Sequence, residues 1–221
     1  MWTALRQRWH RWRAPAAPMA DFLGAPLPPR RADVRELEFV VLDLEMTGLD
    51  PRRDEIASIG YVVVRQRRIC LEQAHHRLIQ IDGSVAQSAT LHGIVDADLS
   101  DGIPLADALT HLLDVLAGRV LVVHHAPLDL GFLNAACRRL WDAPLVMRVV
   151  DTLALARRRH HGPHHTPRDG ALRLHAVRTQ YGLPRYPAHN ALSDALATAE
   201  LFLALVAHRA GHERLPLHAL L

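Results

Sequence analysis

Apolar and polar positions along the chain predict strands that alternate with helices after residue 36. The segments "LEFVVLDLE" and "IASIGYVVVRQRRICLEQAHHRLI" have the short apolar runs and β-branched residues that are typical of strands. The second segment contains a turn near residues 66–68, so it reads as two strands joined as a hairpin. Because hairpin strands pair antiparallel, we expect a mixed sheet rather than a wholly parallel one.

The rest of the chain continues this pattern with longer helical segments. "RVLVVHH" predicts a buried strand, and "MRVVDTLALARRR" predicts a short strand that runs into a helix. Helical patterns occupy "PLADALTHLLDVLAG", "APLDLGFLNAACRRL", "ALRLHAVRTQYG" and "ALSDALATAELFLALVAHRA". The sequence therefore predicts an α/β domain in which helices flank a mixed central sheet.

One predicted strand contains two acidic residues within an otherwise apolar run. In "VLDLEMTGLD" the carboxyl groups of Asp43 and Glu45 interrupt an apolar run, two residues apart. Side chains at positions i and i+2 of a strand point to the same face. Two like charges side by side on a mostly apolar strand cost free energy unless something neutralises them. The stretch therefore indicates a partner of positive charge.

Three further polar residues lie at the ends of predicted elements. Asp129 opens a helix directly after "VLVVHH", Asp194 lies in the first turns of the last long helix, and His189 precedes that helix. Taken alone, Asp129 and Asp194 are weak signals of function, since an acid at the start of a helix often caps it or interacts with its dipole. If the segments converge, four carboxylates meet, and such a cluster selects two Mg²⁺ or Mn²⁺ ions suited to phosphodiester hydrolysis. His189 is then the candidate general base.

Composition narrows the class of protein. The 221 residues are 49% hydrophobic and 22% charged, as in soluble globular proteins, and we expect no membrane insertion. Two cysteines, Cys70 and Cys137, fit neither a disulfide framework nor a zinc site, which favours a reducing, cytoplasmic location. A net charge of +3 permits a nucleic-acid partner without requiring one.

The first 35 residues differ from the rest, and we divide the chain into a basic extension (1–35), a catalytic domain (36–210) and a short tail (211–221). The extension begins "MWTALRQRWHRWRAP", in which tryptophans alternate with arginines, and continues into the proline-rich "APLPPRR". One interpretation is a peripheral helix that packs on the domain or is partly disordered. The other is a segment that contacts nucleic acid, a membrane surface or a protein partner.

Three ordered motifs together resemble a known superfamily. "VLDLEMTGLD" resembles the first motif of the DEDDh 3′-to-5′ exonucleases, the DnaQ-like superfamily that includes polymerase proofreading subunits. "VVHHAPLDLGFL" resembles the second motif, HNAxFDxxFL, and "HNALSDALATAELF" resembles the third, HxAxxDA. The segment "LHGI" is similar to one found in the proofreading branch. The resemblance spans about residues 37–207.

This resemblance implies a ribonuclease-H-like fold and a residue-by-residue assignment of the site. Asp43, Glu45, Asp129 and Asp194 would hold two metal ions, and His189 would be the general base. The implied activity is hydrolysis at the 3′ end of single-stranded or frayed DNA, releasing nucleoside 5′-monophosphates.

The resemblance also implies substrate contacts. The backbone at Met46 and Thr47 would hold the 3′-terminal nucleotide, Leu49 would pack on the terminal bases, and His124 occupies the substrate-side position of the second motif. His92, in "LHGI", either lines the substrate groove or caps a turn.

The sequence departs from the family pattern at two places. His125 and Leu128 replace the usual Asn and Phe of the second motif, which puts packing and substrate contacts near Asp129 in question. Met46 replaces a frequent Thr and gives "DLEMTGLDP" a resemblance to oligoribonucleases.

Two alternatives to a DNA exonuclease stay open. One is a 3′-to-5′ exoribonuclease that acts on RNA or short oligonucleotides. The other, from a different class, is a subunit that docks on a DNA polymerase or repair partner through its N-terminal segment. Because only "AGHERLPLHALL" follows the last helix, we expect a free-standing exonuclease rather than a replicative subunit.

Overall fold

A computed structural model of the chain describes residues 2–13, 17–81, 102–160, 170–187 and 190–221. In chain order its elements are α1 (Trp2–Arg13), α2 (Met19–Gly24), β1 (Glu38–Met46), β2 (Ile56–Arg65), β3 (Arg68–Leu78), α3 (Leu105–Leu116), β4 (Val120–Val123), α4 (Ala126–Trp141), β5 (Arg148–Asp151), α5 (Thr152–His160), α6 (Leu174–Gln180) and α7 (Ala191–Ala210). Single 3₁₀ turns lie at Val34–Glu36 and Leu217–Ala219. Each predicted strand and helix is present at its predicted place.

The strands form one mixed sheet with β1 at its centre. The order is β3-β2-β1-β4-β5. β1 pairs antiparallel with β2, and β2 with β3, whereas β1–β4 and β4–β5 are parallel. The turn between β2 and β3 consists of Gln66 and Arg67, whose φ angles of 51° and 60° are left-handed, as in the tight turns of hairpins. The predicted α/β fold with a mixed central sheet is confirmed.

Alternation along β1 divides the core into two layers. Val40, Leu42 and Leu44 pack with α2, α3 and α4 on one face of the sheet. Phe39 and Val41 pack with α5 and α7 on the other, where the rings of Phe39 and Phe202 lie 4.8 Å apart. Asp43 and Glu45 follow Phe39 and Val41 at every second position of β1, so their side chains face the same layer, which contains α7.

The helix α7 is long and strongly apolar, a combination that the sequence interpretation did not take into account. It has the length and hydropathy of a membrane-crossing helix, and half of its most apolar 18-residue window is buried. It lies against β1 and β2 and buries Leu201, Phe202, Leu205 and Val206. Its apolar side chains therefore have a place in the core of the domain.

The N-terminal segment contains a helix that packs on the domain. In α1 the side chain of Gln7 is buried and its amide nitrogen donates to the carbonyl oxygen of Ala25 at 2.8 Å. Leu5 and Trp9 are 54% and 52% exposed. The interpretation as a peripheral helix describes this part of the chain, and whether the exposed side chains contact a partner stays a prediction.

Candidate active site

Two strand carboxylates and one helix carboxylate come together at the end of β1. Asp43, Glu45 and Asp194 each present a ligand oxygen, and these oxygens all lie within 4.8 Å of one another. Glu45 is 5% exposed, and Asp43 and Asp194 are half-buried. The structure thus brings together three of the four predicted metal ligands from segments about 150 residues apart.

A glycine in β2 lets α7 reach the sheet at this point. Gly60 is the partner of Asp43 in the β1–β2 register. A Cβ on Gly60 would lie within 3.0 Å of the backbone of Ala191 and Leu192, at the start of α7. The missing side chain therefore makes room for the helix end that carries Asp194. Sequence reasoning did not identify Gly60, although a lone glycine inside a strand signals a close backbone approach.

The fourth carboxylate approaches from the helix that follows β4. Asp129 lies in the first turn of α4 and is 5% exposed. It lies outside the group of three described above, but its charge raises the pKa of Asp43 more than the charge of any other residue does. Asp129 is therefore close enough to Asp43 for its charge to raise the pKa of that carboxyl group.

Burial and neighbouring negative charge raise the pKa values of three of these carboxyl groups. Desolvation, and then the charges of Asp129, Asp194 and Glu45, raise the pKa of Asp43 well above its usual range. Burial and the charge of Asp194 raise the pKa of Glu45 to about 7. Burial, with a contribution from Asp151, raises the pKa of Asp129 to about 8. Each shift has the sign that burial and neighbouring negative charge produce in a carboxyl group.

The donor set fits hard divalent cations. The cluster offers carboxylate oxygens without cysteine, which suits Mg²⁺ or Mn²⁺ better than zinc. A cation there would favour the ionised carboxylates and so reverse the cause of the raised pKa values. The site is therefore suited to a divalent metal ion.

One aspartate joins the two helices beside the site. The carboxylate of Asp151 accepts backbone N–H groups from His125 and Ala126 at 3.2 and 3.1 Å, at the start of α4. It also accepts those of Leu153 and Ala154 at 2.9 and 3.2 Å, in the first turn of α5. Asp151 therefore caps α5. Its second role, at the start of the helix that carries Asp129, was missed.

His125 explains one departure from the family motif. It precedes α4 with φ 97° and ψ 63°, a left-handed conformation that Asn adopts more readily than other side-chain-bearing residues. The usual Asn of the second motif matches this backbone, whereas His125 occupies it with strain of about 1–3 kcal/mol. The hydrogen bond from its N–H to Asp151 helps to hold it there.

His124 is engaged inside the protein. Its Nδ1 lies 2.8 Å from the hydroxyl of Thr152, and its Nε2 lies 2.9 Å from the carbonyl oxygen of Leu172. Burial lowers the pKa of His124, and the Thr152 hydroxyl that it contacts also donates to the carbonyl oxygen of Val123 at 3.1 Å. In this arrangement both ring nitrogens have partners in the chain, and the predicted substrate contact stays a prediction.

The other predicted substrate contacts fall around the turn after β1. Met46 is half-buried against the core. The Thr47 hydroxyl oxygen accepts the N–H of Glu55 at 2.9 Å and so fixes the turn, whereas Leu49 is 76% exposed at its tip. His92 and His189 lie outside the described residues. The substrate roles of all four contacts and the base role of His189 stay predictions.

The family model for the RNase_T exonucleases matches residues 40–202. The chain belongs to the RNase_T exonuclease family. This match confirms the predicted place of the chain among the DnaQ-like 3′-to-5′ exonucleases. The matched range contains all four carboxylates and both helices that Asp151 joins.

Curated relatives of this family member are polymerases much longer than the chain. It is 33% identical over 173 residues to the DNA polymerase III PolC-type of Thermotoga petrophila, a match that covers 76% of this chain. It is 28% identical over 185 residues to that of Staphylococcus haemolyticus, covering 80% of this chain. The chain spans about 12% of the length of these relatives.

Solved structures with the same fold are exonucleases. Exonuclease X in complex with 5′ overhanging duplex DNA has a TM-score of 0.59 and 22% identity, covering 82% of this chain and 98% of that one. The nuclease domain of 3′hExo, a DEDDh family member bound to rAMP, has a TM-score of 0.62 and 15% identity, covering 83% and 98%. These likenesses confirm the ribonuclease-H-like fold.

Proposed function

We propose that this exonuclease hydrolyses the terminal phosphodiester at the 3′ end of single-stranded or frayed DNA and releases nucleoside 5′-monophosphates. The observation that carries the proposal is the meeting of the Asp43, Glu45 and Asp194 carboxylates, whose oxygens lie within 4.8 Å of one another, and the charge of Asp129 also acts on Asp43. A cluster of carboxylates this close together is suited to cations that in turn bind a phosphodiester.

The residues have separate roles in this proposal. Asp43, Glu45, Asp129 and Asp194 would hold the cations, which would be two Mg²⁺ or Mn²⁺ ions, and Asp43 would be the least replaceable of these ligands. When bound, the cations supply the Lewis acidity for attack of water on the phosphodiester. His189, in the third motif, takes the proton of that water.

A cationic cavity beside the cluster supports a nucleic-acid substrate. It is lined by Arg173, His175, Arg185 and Tyr186 and reaches Asp194. Arginine side chains suit phosphate oxygens, and the exposed ring of Tyr186 is suited to contact with a base. A strand whose end lies at the carboxylates thus has positive charge next to it.

DNA is the favoured substrate because the curated relatives are DNA polymerases. A likeness to E. coli Exonuclease I in complex with a dT13 oligonucleotide is compatible with this choice, with a TM-score of 0.63 and 18% identity, covering 78% of this chain and 41% of that one. The exoribonuclease alternative has its own support in the neighbour bound to rAMP and in the Met46 context.

The deciding experiment compares matched substrates. The full chain is incubated with 5′-labelled single-stranded DNA, frayed duplex, blunt duplex and RNA of the same sequence, with Mg²⁺, Mn²⁺ or chelator. We expect single-nucleotide ladders from single-stranded and frayed DNA that chelator abolishes. Asp43→Asn should remove them, and Glu213→Gln, an exposed change near the C-terminus, should not. Faster degradation of RNA than of DNA would reverse the substrate assignment.

The base is tested separately. His189→Ala should lower kcat by about 10²–10⁴-fold, the usual contribution of a general base. An unchanged kcat and pH profile would remove His189 from that role while leaving the metal site in place.

The docking alternative makes a different prediction. If the exposed Leu5 and Trp9 of α1 bind a polymerase or repair partner, the full chain recovers that partner and a chain that lacks residues 1–35 does not. Equal recovery of all partners by both chains would reject docking through this segment.

A further inference from the structure

A cleft lies between the basic N-terminal helix and the helix that carries Asp129. A cavity of about 550 Å³ is lined by Arg6 of α1 and by Asn134 and Arg138 of α4. A second cavity, of about 300 Å³, adjoins it at Arg138 and is lined on the α1 side by Trp9. We call these two cavities the α1–α4 cleft.

Each helix contributes one face to the cleft. Residues that recur three or four positions apart lie on the same face of a helix. The lining residues with this spacing include Thr3, Arg6 and His10 in α1, and Pro127, Leu130, Gly131, Asn134 and Arg138 in α4. From Pro127 to Arg138 a helix rises about 16 Å at 1.5 Å per residue. Nucleotides of a stacked strand are about 3.4 Å apart, so the cleft is long enough for about five of them.

Positive charge surrounds the cleft. The helix α1 contains no acidic residue, and its Arg6, Arg8 and Arg11 are exposed. Arg138 is exposed on the facing helix. Within the described ranges of the chain, none of these four guanidinium groups forms an ion pair. Cations arranged in this way suit a partner with repeated negative charges, such as the phosphates of a nucleic-acid strand.

An exposed aromatic ring lies in the smaller cavity. Trp9 is 52% exposed, and its ring meets that of His10 edge-on, with 4.6 Å between the centroids. Asp142 lines the same cavity and places a negative charge there, which disfavours a phosphate. A nucleic-acid base, which stacks on aromatic side chains, suits this end of the cleft better.

The other end of the cleft lies near the candidate active site. Pro127, which lines the cleft, comes two residues before Asp129 in the first turn of α4. A Cβ on Gly131, in the same wall, would lie 3.1 Å from Cγ of Pro51. Pro51 belongs to the segment between β1 and β2 that also exposes Leu49. The cleft therefore begins beside the predicted contact for the terminal bases and continues away from it along α4.

We propose that the α1–α4 cleft binds the single-stranded DNA that precedes the 3′ end, with phosphates at Arg6 and Arg138 and a base on Trp9. The proposal rests on the proposed function, which places the terminus of that strand at the carboxylates. A protein partner is the other possible occupant, and it would use the exposed apolar side chains of α1. Leu5 distinguishes the two, because it is 54% exposed on α1 but does not line the cleft.

The first test measures binding without hydrolysis. Fluorescence anisotropy gives the Kd of the full chain for a labelled twenty-nucleotide single strand in chelator, at several salt concentrations. Arg6→Gln and Arg138→Gln should each weaken binding by up to about fivefold, and each should lower the slope of log K against log salt by about 0.7. Trp9→Ala should weaken binding by about 5- to 150-fold, the usual contribution of one stacked base.

Three control variants accompany this test. Arg68→Gln removes an exposed arginine from β3, at the opposite edge of the sheet from β5, and should retain the wild-type Kd and salt slope. Leu5→Ala removes an exposed apolar side chain from α1 and should also retain them. Asp142→Asn removes a negative charge from the cleft and should tighten binding.

Hydrolysis provides a second measurement. With a long single strand and Mn²⁺, the arginine and tryptophan variants should raise KM and leave kcat at the wild-type value, because contacts remote from the scissile bond contribute uniform binding. Hydrolysis of a dinucleotide, which is too short to enter the cleft, should be unchanged in the same variants.

The outcomes separate this proposal from the proposed function. A wild-type Kd and salt slope in the arginine variants and in Trp9→Ala would overturn the cleft assignment. An equal loss of affinity in Leu5→Ala would also overturn it, in favour of an apolar docking surface. If the cleft variants lose affinity as expected but the wild-type chain hydrolyses no strand with any metal, the proposed function fails and the cleft stands as a nucleic-acid-binding surface.

Discussion

Removal of divalent cations should make the stability of this exonuclease fall as the pH rises from 5 to 7. Glu45 titrates with a pKa of about 7 in the folded chain, against 4.5 for an unperturbed glutamate. An acid whose folded pKa is raised contributes no penalty below its unfolded pKa. As the pH rises through the folded pKa, the unfolded state has already lost its proton and folding becomes less favourable.

The size of the effect follows from the two pKa values. At 1.36 kcal/mol for each pKa unit, the Glu45 penalty is about 1 kcal/mol at pH 5 and about 3 kcal/mol at pH 7. The difference of about 2 kcal/mol corresponds to a drop in Tm of about 4–8 °C for a chain of this size. Asp43 and Asp129 shift in the same direction and add to it.

Thermal melts in the presence of chelator, at steps of half a pH unit, measure the pH-dependent destabilisation that Glu45 causes. The useful quantity is the Tm of wild type minus that of Glu45→Gln, since subtraction removes titrations elsewhere in the chain. This difference should fall between pH 5 and pH 7, and Mg²⁺ or Mn²⁺ should restore it most at high pH, because the cations bind the ionised acids. Glu213→Gln should follow wild type. Parallel curves for wild type and Glu45→Gln would refute the reasoning.

Three further predictions concern the supports of the site. Gly60→Ala forces its Cβ into the backbone at the start of α7, so Tm should fall and nuclease activity should drop at least tenfold, measured by melts and single-turnover assays. His125→Asn relieves the strain of the left-handed backbone. If about 1 kcal/mol is relieved, Tm should rise by about 2–4 °C. Asp151→Ala removes the acceptor of four N–H groups and should lower Tm by about 4–8 °C, whereas Asp114→Ala, at an exposed position of α3, should change it little.

The carboxylates were predictable from sequence because the relevant signals are local. Alternation along β1 placed Asp43 and Glu45 on one face, and the starts of two helices placed Asp129 and Asp194 at element ends. Each of these statements needs only a few neighbouring residues. Their convergence was a condition of the prediction, favoured by the resemblance and by the general geometry of α/β sheets, and the structure brings the carboxylate oxygens of Asp43, Glu45 and Asp194 within 4.8 Å of one another.

The supports of the site were not predictable in the same way. The contact of Gly60 with the start of α7 joins residues more than 100 positions apart, and Asp151 bonds to N–H groups about 25 positions away as well as to its own helix. The Arg178–Glu200 pair joins two helices whose relative placement no local pattern specifies. A lone glycine in a strand signals that something approaches, but it does not identify the approaching element.

The arrangement of supports explains how the chain tolerates an acid cluster in its core. The Glu45 penalty alone, about 3 kcal/mol near neutral pH, is a large part of the 5–15 kcal/mol by which a domain is stable. A loosely held cluster would relieve repulsion by moving its acids apart, and would then lose its fit to cations. Packing of α7 on Gly60 and the cap of α4 by Asp151 oppose that relaxation. The free energy retained as repulsion in the metal-free chain is therefore available to strengthen cation binding.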